Sequence, residues 1–143
     1  MKIEDVKSMM NKDSQIDNSS LDHEALRTPE LCSKYNQLLF EERQHLEFLE
    51  NIYNVKRFHR FQYYAGKADP EVYEKKPFDH KVLRTDMELY LKSDMELMEK
   101  ESKLKEQKYK IKMIEDFLKD SLCSRQWLIG HAIKWKMLGE GLL

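Results

Sequence analysis

LCSKYNQLLFEERQHLEFLENIY, residues 31–53, decides the fold. Its apolar residues Leu31, Tyr35, Leu38, Leu39, Leu46, Leu49, Ile52 and Tyr53 recur at steps of three and four. That spacing stacks side chains along one face of an α-helix, and no strand-like alternation competes with it. Upstream, Thr28-Pro29-Glu30 reads as the helix start. Thr28 is a cap, Pro29 falls where its missing N–H costs nothing, and Glu30 lies near the positive helix end. Downstream the helix is expected to run to about Ala65. Gly66 is a natural stop, because glycine adopts the left-handed conformation that follows a last turn.

The rest of the chain also reads as helix. Ile3, Val6 and Met10 share one face of a short helix over 3–12, and the polar residues 12–20 form a turn. A second short helix starts near Ser20, with Leu21, Ala25 and Leu26 as its apolar side. Residues 67–80 hold Pro70 and Pro77 and read as a connector, with a short irregular or extended piece around Val72 and Tyr73. Thr85 with Glu88 matches a capping box, which would open a second long helix. That helix continues into a charged strut over 99–112 that packs on little. Acid-to-lysine pairs at i,i+4 (Glu96–Lys100, Glu99–Lys103, Glu101–Lys105 and Glu106–Lys110) would each stabilise it by about 0.2–0.5 kcal/mol.

Residues 111–138 are more apolar than one solvated helix can hide. Ile114, Leu118, Leu122, Trp127, Ile129, Ile133 and Trp135 are therefore candidates for an interface between copies of the chain. Burial inside a single copy is the competing reading.

Composition agrees with an all-α fold. Glycine (4) and proline (3) are too scarce for an all-β or doubly wound protein. With 143 residues the chain fits one modest core. Net charge is −1, so any nucleic-acid contact must come from local clustering. Cys32 and Cys123 make no CxxC and read as free thiols in a reducing cytosol. No signal-type or membrane-length apolar segment is seen, and a soluble intracellular protein is expected. There is no GxxxxGK[ST] loop, no HExxH and no His/Cys cluster at zinc spacing, so neither an enzyme, a cofactor nor a metal site is expected.

Against the balanced background, VKRFHRFQYYAGK, residues 55–67, stands out. It holds Lys56, Arg57, Arg60 and Lys67 and no acid, whereas residues 41–50 just before it carry four glutamates against Arg43. On a helix, Arg57, Arg60, Tyr64 and Lys67 fall on one face, with Lys56, Arg60 and Tyr63 in the adjoining row. Phe58 and Phe61 lie off that row, free to turn toward the core. Cations that track phosphates beside rings that stack on bases suit single-stranded nucleic acid. Gly66 would let backbone N–H groups approach a phosphate. The plainer reading is that the rings are core and the lysines answer the helix dipole.

Several stretches, in order along the chain, resemble the UvsY family of recombination mediators from T4-like bacteriophages. They are IEDV (3–6), QID (15–17), LCSKYNQ (31–37), RFQYYAGK (60–67), VYEK (72–75), VLRTD (82–86), LKSD (91–94), FLKDSL (117–122) and SRQWLIGHAIKWKMLGEG (124–141). The resemblance implies a small protein without ATPase activity that forms a ring-like homo-oligomer, a hexamer or heptamer. It further implies binding to single-stranded DNA, to the phage single-strand-binding protein and to a RecA-like recombinase. Its expected role is to help that recombinase replace the binding protein during recombination and repair, in the cytoplasm of the infected bacterium.

In the family's DNA-binding motif Arg60 matches the arginine, Tyr63 and Tyr64 the tyrosine pair, and Lys67 the basic residue after glycine. The motif's lysine falls on Phe58, a departure that leaves Lys56 and Arg57 to supply charge or Phe58 to stack. The C-terminal segment resembles the family's assembly region. On this reading, residues 1–80 carry the DNA-binding segment, and 81–143 the strut and oligomerisation region. The alternative is a helical adaptor without nucleic-acid binding, with 86–112 as a coiled-coil spacer.

Overall fold

A computed structural model describes residues 1–142 of the chain. Every regular element among them is helical. Helix α1 spans Ile3–Asp13, α2 Leu21–Tyr64, α3 Pro70–Lys75, α4 Met87–Lys92, α5 Met95–Asp116 and α6 Cys123–Gly139, with a π-helical stretch at Phe117–Leu122 joining α5 to α6. The chain packs as two units, one of residues 1–43 with 109 onward, the other Gln44–Lys108. These bounds differ from a division into 1–80 and 81–143.

In the first unit Val6, Leu21, Leu31, Tyr35, Leu38, Leu39, Ile114, Phe117, Leu122 and Ile129 are buried. Burying each large apolar side chain stabilises by about 1.5–3 kcal/mol. Tyr35 packs on Phe117 with ring centroids 4.6 Å apart. Its hydroxyl donates to Asp13 Oδ2 at 2.8 Å, an acceptor shared with Lys34 Nζ at 2.6 Å. Burial and the bond to Asp13 push the Tyr35 hydroxyl's pKa up.

From the last turn of α5 onward the inward positions run Ile114, Phe117, Leu122, Arg125, Ile129. The step of five from Phe117 to Leu122 is foreign to a regular α-helix. The π-helical stretch supplies it and keeps the inward face in register.

The expected start of the long helix at Thr28-Pro29 is corrected. α2 begins at Leu21 and carries Pro29 inside it. A proline there leaves the carbonyl four residues back without its helical donor. The Gln126 side-chain amide donates to that carbonyl, Ala25 O, at 3.2 Å. Thr28 Oγ1 does not cap; it donates back to Glu24 O at 3.4 Å. Arg125 closes the same knot, donating through Nε to Thr28 Oγ1 at 3.0 Å and pairing with Glu24.

At the other end of α2 the sequence reading holds. Gly66 sits at φ +75°, with Gly66 N–H donating to Tyr63 O and Lys67 N–H to Gln62 O. Because both N–H groups satisfy the helix end, they are not available to a phosphate.

Further expectations are corrected. The piece around Val72 and Tyr73 is helix α3, opened by Pro70. No capping-box bond forms at Thr85. The helix is interrupted at Ser93–Asp94, where Asp94 Oδ1 accepts the Leu97 N–H at 3.0 Å and caps α5. The 99–112 stretch is no free strut, and 86–112 is no continuous spacer. Leu104, Gln107, Lys110 and Ile111 are buried, and Lys110 Nζ pairs with Glu42 at 2.9 Å rather than with Glu106. The outward pairs Glu99–Lys103 and Glu101–Lys105 do form, at 3.9 and 3.8 Å.

Candidate nucleic-acid interface

In the second unit the last turns of α2 are covered along Tyr53, Lys56, Arg57, Arg60, Tyr63 and Tyr64, which are half-buried or buried. These positions follow one another at helical steps, so the basic row is itself the packed row. Phe58 and Phe61 point the opposite way and are 59% and 39% exposed. The expected arrangement, tyrosines outward and phenylalanines inward, is inverted. The reason is polar. A tyrosine can bury its ring and still place its hydroxyl on a partner, which phenylalanine cannot exploit.

The partners are specific. Tyr64 OH donates to Asp94 Oδ2 at 2.6 Å, and Tyr63 OH to the Lys76 carbonyl at 3.0 Å. Tyr73 OH donates to Tyr63 O at 2.8 Å, which ties α3 to the end of α2, and the Tyr63 and Tyr73 rings stack at 5.4 Å. Phe78 and Tyr90 complete the aromatic cluster around Tyr64. Met87, Leu91 and Leu97 form the adjoining apolar core.

Arg60 is the centre of this unit. Its guanidinium lies over the Tyr63 ring at 4.3 Å and near that of Tyr64 at 5.2 Å. Its Nε donates to Asp94 Oδ2 at 2.6 Å, and its Nη1 lies 3.3 Å from Glu96 Oε2. Burial alone would push the Asp94 carboxyl up. Hydrogen bonds from Tyr64, the Leu97 N–H and Arg60 outweigh it and hold Asp94 below the usual carboxylate range. The tyrosine rings therefore serve to hold the arginine, and Tyr63, at 6% exposure, offers no open face to a base.

A concave trough of about 530 Å³ opens beside this cluster. It is lined by Lys56, Arg60, Tyr63 and Lys67 of the expected DNA-binding set, together with His59, Lys75 and Lys76. Arg57 and Tyr64 lie outside the lining, and Arg57 pairs with Glu88 at 2.5 Å. Lys56 and Lys76 pair with Glu96, whereas Lys67 and Lys75 are exposed and make no ion pair among the described residues. Lys75 and Lys76 are the contribution that sequence reasoning missed. Their one signal was the Lys-Lys pair before Pro77, in a stretch read only as connector.

The seven candidate assembly residues separate by exposure. Ile114, Leu122 and Ile129 are buried within their own unit and Leu118 is half-buried. Trp127 (62%), Ile133 (38%) and Trp135 (73%) face outward, joined by Leu128 and Leu138. Trp127 packs against His131 with ring centroids 3.9 Å apart and planes tilted by 32°. Among the described residues no group of His, Cys, Asp and Glu could hold a metal ion, and no helix is long and apolar enough to cross a membrane.

Residues 9–142 match the UvsY family, described as recombination, repair and ssDNA binding protein UvsY. Crystal structures of the bacteriophage T4 recombination mediator protein UvsY share the fold. One superposes at TM-score 0.84 with 22% identity, covering 96% of this chain and 99% of that one. Two other lattices give 0.83 at 22% identity (98% of each chain) and 0.82 at 21% (94% and 98%). No curated protein matches by sequence.

Proposed function

The chain belongs to the UvsY family, and on that premise we propose that it is a recombination mediator that holds single-stranded DNA and helps load a RecA-like recombinase in place of a single-strand-binding protein. The family match across residues 9–142 is the observation that carries this reading. The trough on the second unit is its proposed DNA site. Lys67 and Lys75 are open to phosphates, and Lys56, Arg60 and Lys76 line the same trough, whereas Phe58 and Phe61 are exposed on the other side of α2, outside it.

One such site holds DNA weakly. A homo-oligomer presents several to one strand, and effective concentration turns weak contacts into firm but reversible holding. Trp127, Ile133 and Trp135, with Leu128 and Leu138, are proposed as the surface that joins the copies, because so large an exposed apolar face on α6 needs cover. Binding and assembly account for this role without a catalytic step. The proposed place of action is the cytoplasm of the infected bacterium.

The test is fluorescence anisotropy of a labelled oligo-dT titrated with the protein at two salt concentrations, beside sedimentation. Salt-sensitive binding by an oligomer is expected. Absence of any complex at low salt overturns the reading.

A further inference from the structure

We propose that Glu96 is an internal competitor for DNA phosphates. It occupies the cluster of Lys56, Arg60 and Lys76 in the free protein and gives that place to a phosphodiester when a strand binds. This rests on the reading of the trough as a single-stranded-DNA site. Lys56 Nζ lies 3.2 Å from Glu96 Oε2, Arg60 Nη1 3.3 Å from the same oxygen, and Lys76 Nζ 3.3 Å from Oε1. Three cations converge on one carboxylate, which is the coordination a phosphate group takes from lysines and arginine. All four side chains line the trough.

The neighbouring acid plays a different part. Asp94 is 3% exposed and is held by Tyr64, Arg60 Nε and a backbone N–H. It is a fixed post that orients Arg60 and turns Nη1 toward Glu96. Glu96 has a side chain 38% exposed, and among the described residues its ion pairs are with Lys56, Arg60 and Lys76 alone. It can swing into solvent without stranding a buried charge. Lys56, Lys76 and the outer edge of Arg60 are then free for a phosphate. A removable internal anion keeps each site weak, as a protein that must release its strand requires.

The experiment compares oligo-dT binding by the wild-type chain, Glu96→Gln and Glu101→Gln. Among the described residues Glu101 pairs with Lys105 alone, on the outer side of α5, and its change alters net charge equally. Glu96→Gln is expected to bind about tenfold tighter, with a salt slope close to that of wild type because the same phosphate is held in both complexes, while Glu101→Gln stays near wild type. Wild-type binding with no gain in Glu96→Gln overturns the proposal, as does an equal gain in Glu101→Gln. A wild-type chain that does not bind at all refutes the DNA-site reading and the proposal with it. Circular dichroism reports whether Glu96→Gln folds. If it does not, carboxyl-carbon NMR of the wild-type protein decides: the Glu96 resonance moves on adding oligo-dT if the proposal holds, and stays put if it does not.

Discussion

Gln126 donates its side-chain amide to the carbonyl of Ala25 at 3.2 Å, the carbonyl that Pro29 leaves without a helical donor. A residue about a hundred positions away thus lets a proline sit inside a continuous helix. Gln126→Ala should lower stability by about 0.5–1 kcal/mol. In a Pro29→Ala background, where an N–H is restored at position 29, the same change should cost little. Urea denaturation of the four proteins in this cycle measures the difference.

Asp94 and Asp13 give the two units a shared acid sensitivity. Desolvation raises both carboxyls, but hydrogen bonds and cations prevail: Tyr64, Leu97 N–H and Arg60 at Asp94; Lys34, Tyr35 and Arg27 at Asp13. Both folded-state pKa values lie below the ordinary aspartate value of about 3.9. Their stabilisation is therefore complete above that value and drains away as pH falls through the depressed ones. Thermal melting should be level from about pH 5 upward and drop steeply below about pH 4. Asp94→Asn should melt lower at neutral pH and lose less on acidification.

Lys67 and Lys75 are exposed and make no ion pair among the described residues, so replacing both with alanine should leave the melting temperature nearly unchanged. Oligo-dT binding should weaken, and its salt slope should fall by about 0.7 for each lost phosphate contact. Arg57→Ala should change binding less, because Arg57 lies outside the trough and answers Glu88.

Along α6 the same class of substitution should have two outcomes. Ile129 is 1% exposed, and Ile129→Ala should destabilise the fold by about 2–5 kcal/mol through a cavity. Trp135 is 73% exposed, and Trp135→Ala should leave monomer stability alone and shift sedimentation toward smaller species. Denaturation and sedimentation on both variants separate the two roles.

The amino-acid pattern alone determined that the protein is helical, where its long first helix ends, and which short segment concentrates cations and rings. Those properties are local: the spacing of Leu31 through Tyr53 and the positive φ of Gly66 need no distant partner. Direction was not local. Whether Tyr63 and Tyr64 or Phe58 and Phe61 face inward depended on Lys76 and Asp94 standing where the tyrosine hydroxyls could reach them. Pro29 reads as a helix start until Gln126 arrives to satisfy Ala25, and Glu96 reads as one of many surface acids until Lys56, Arg60 and Lys76 close around it. Periodicity is a property of neighbours along the chain. The satisfaction of a buried polar group depends on residues brought together from far apart, and only the folded arrangement decides it.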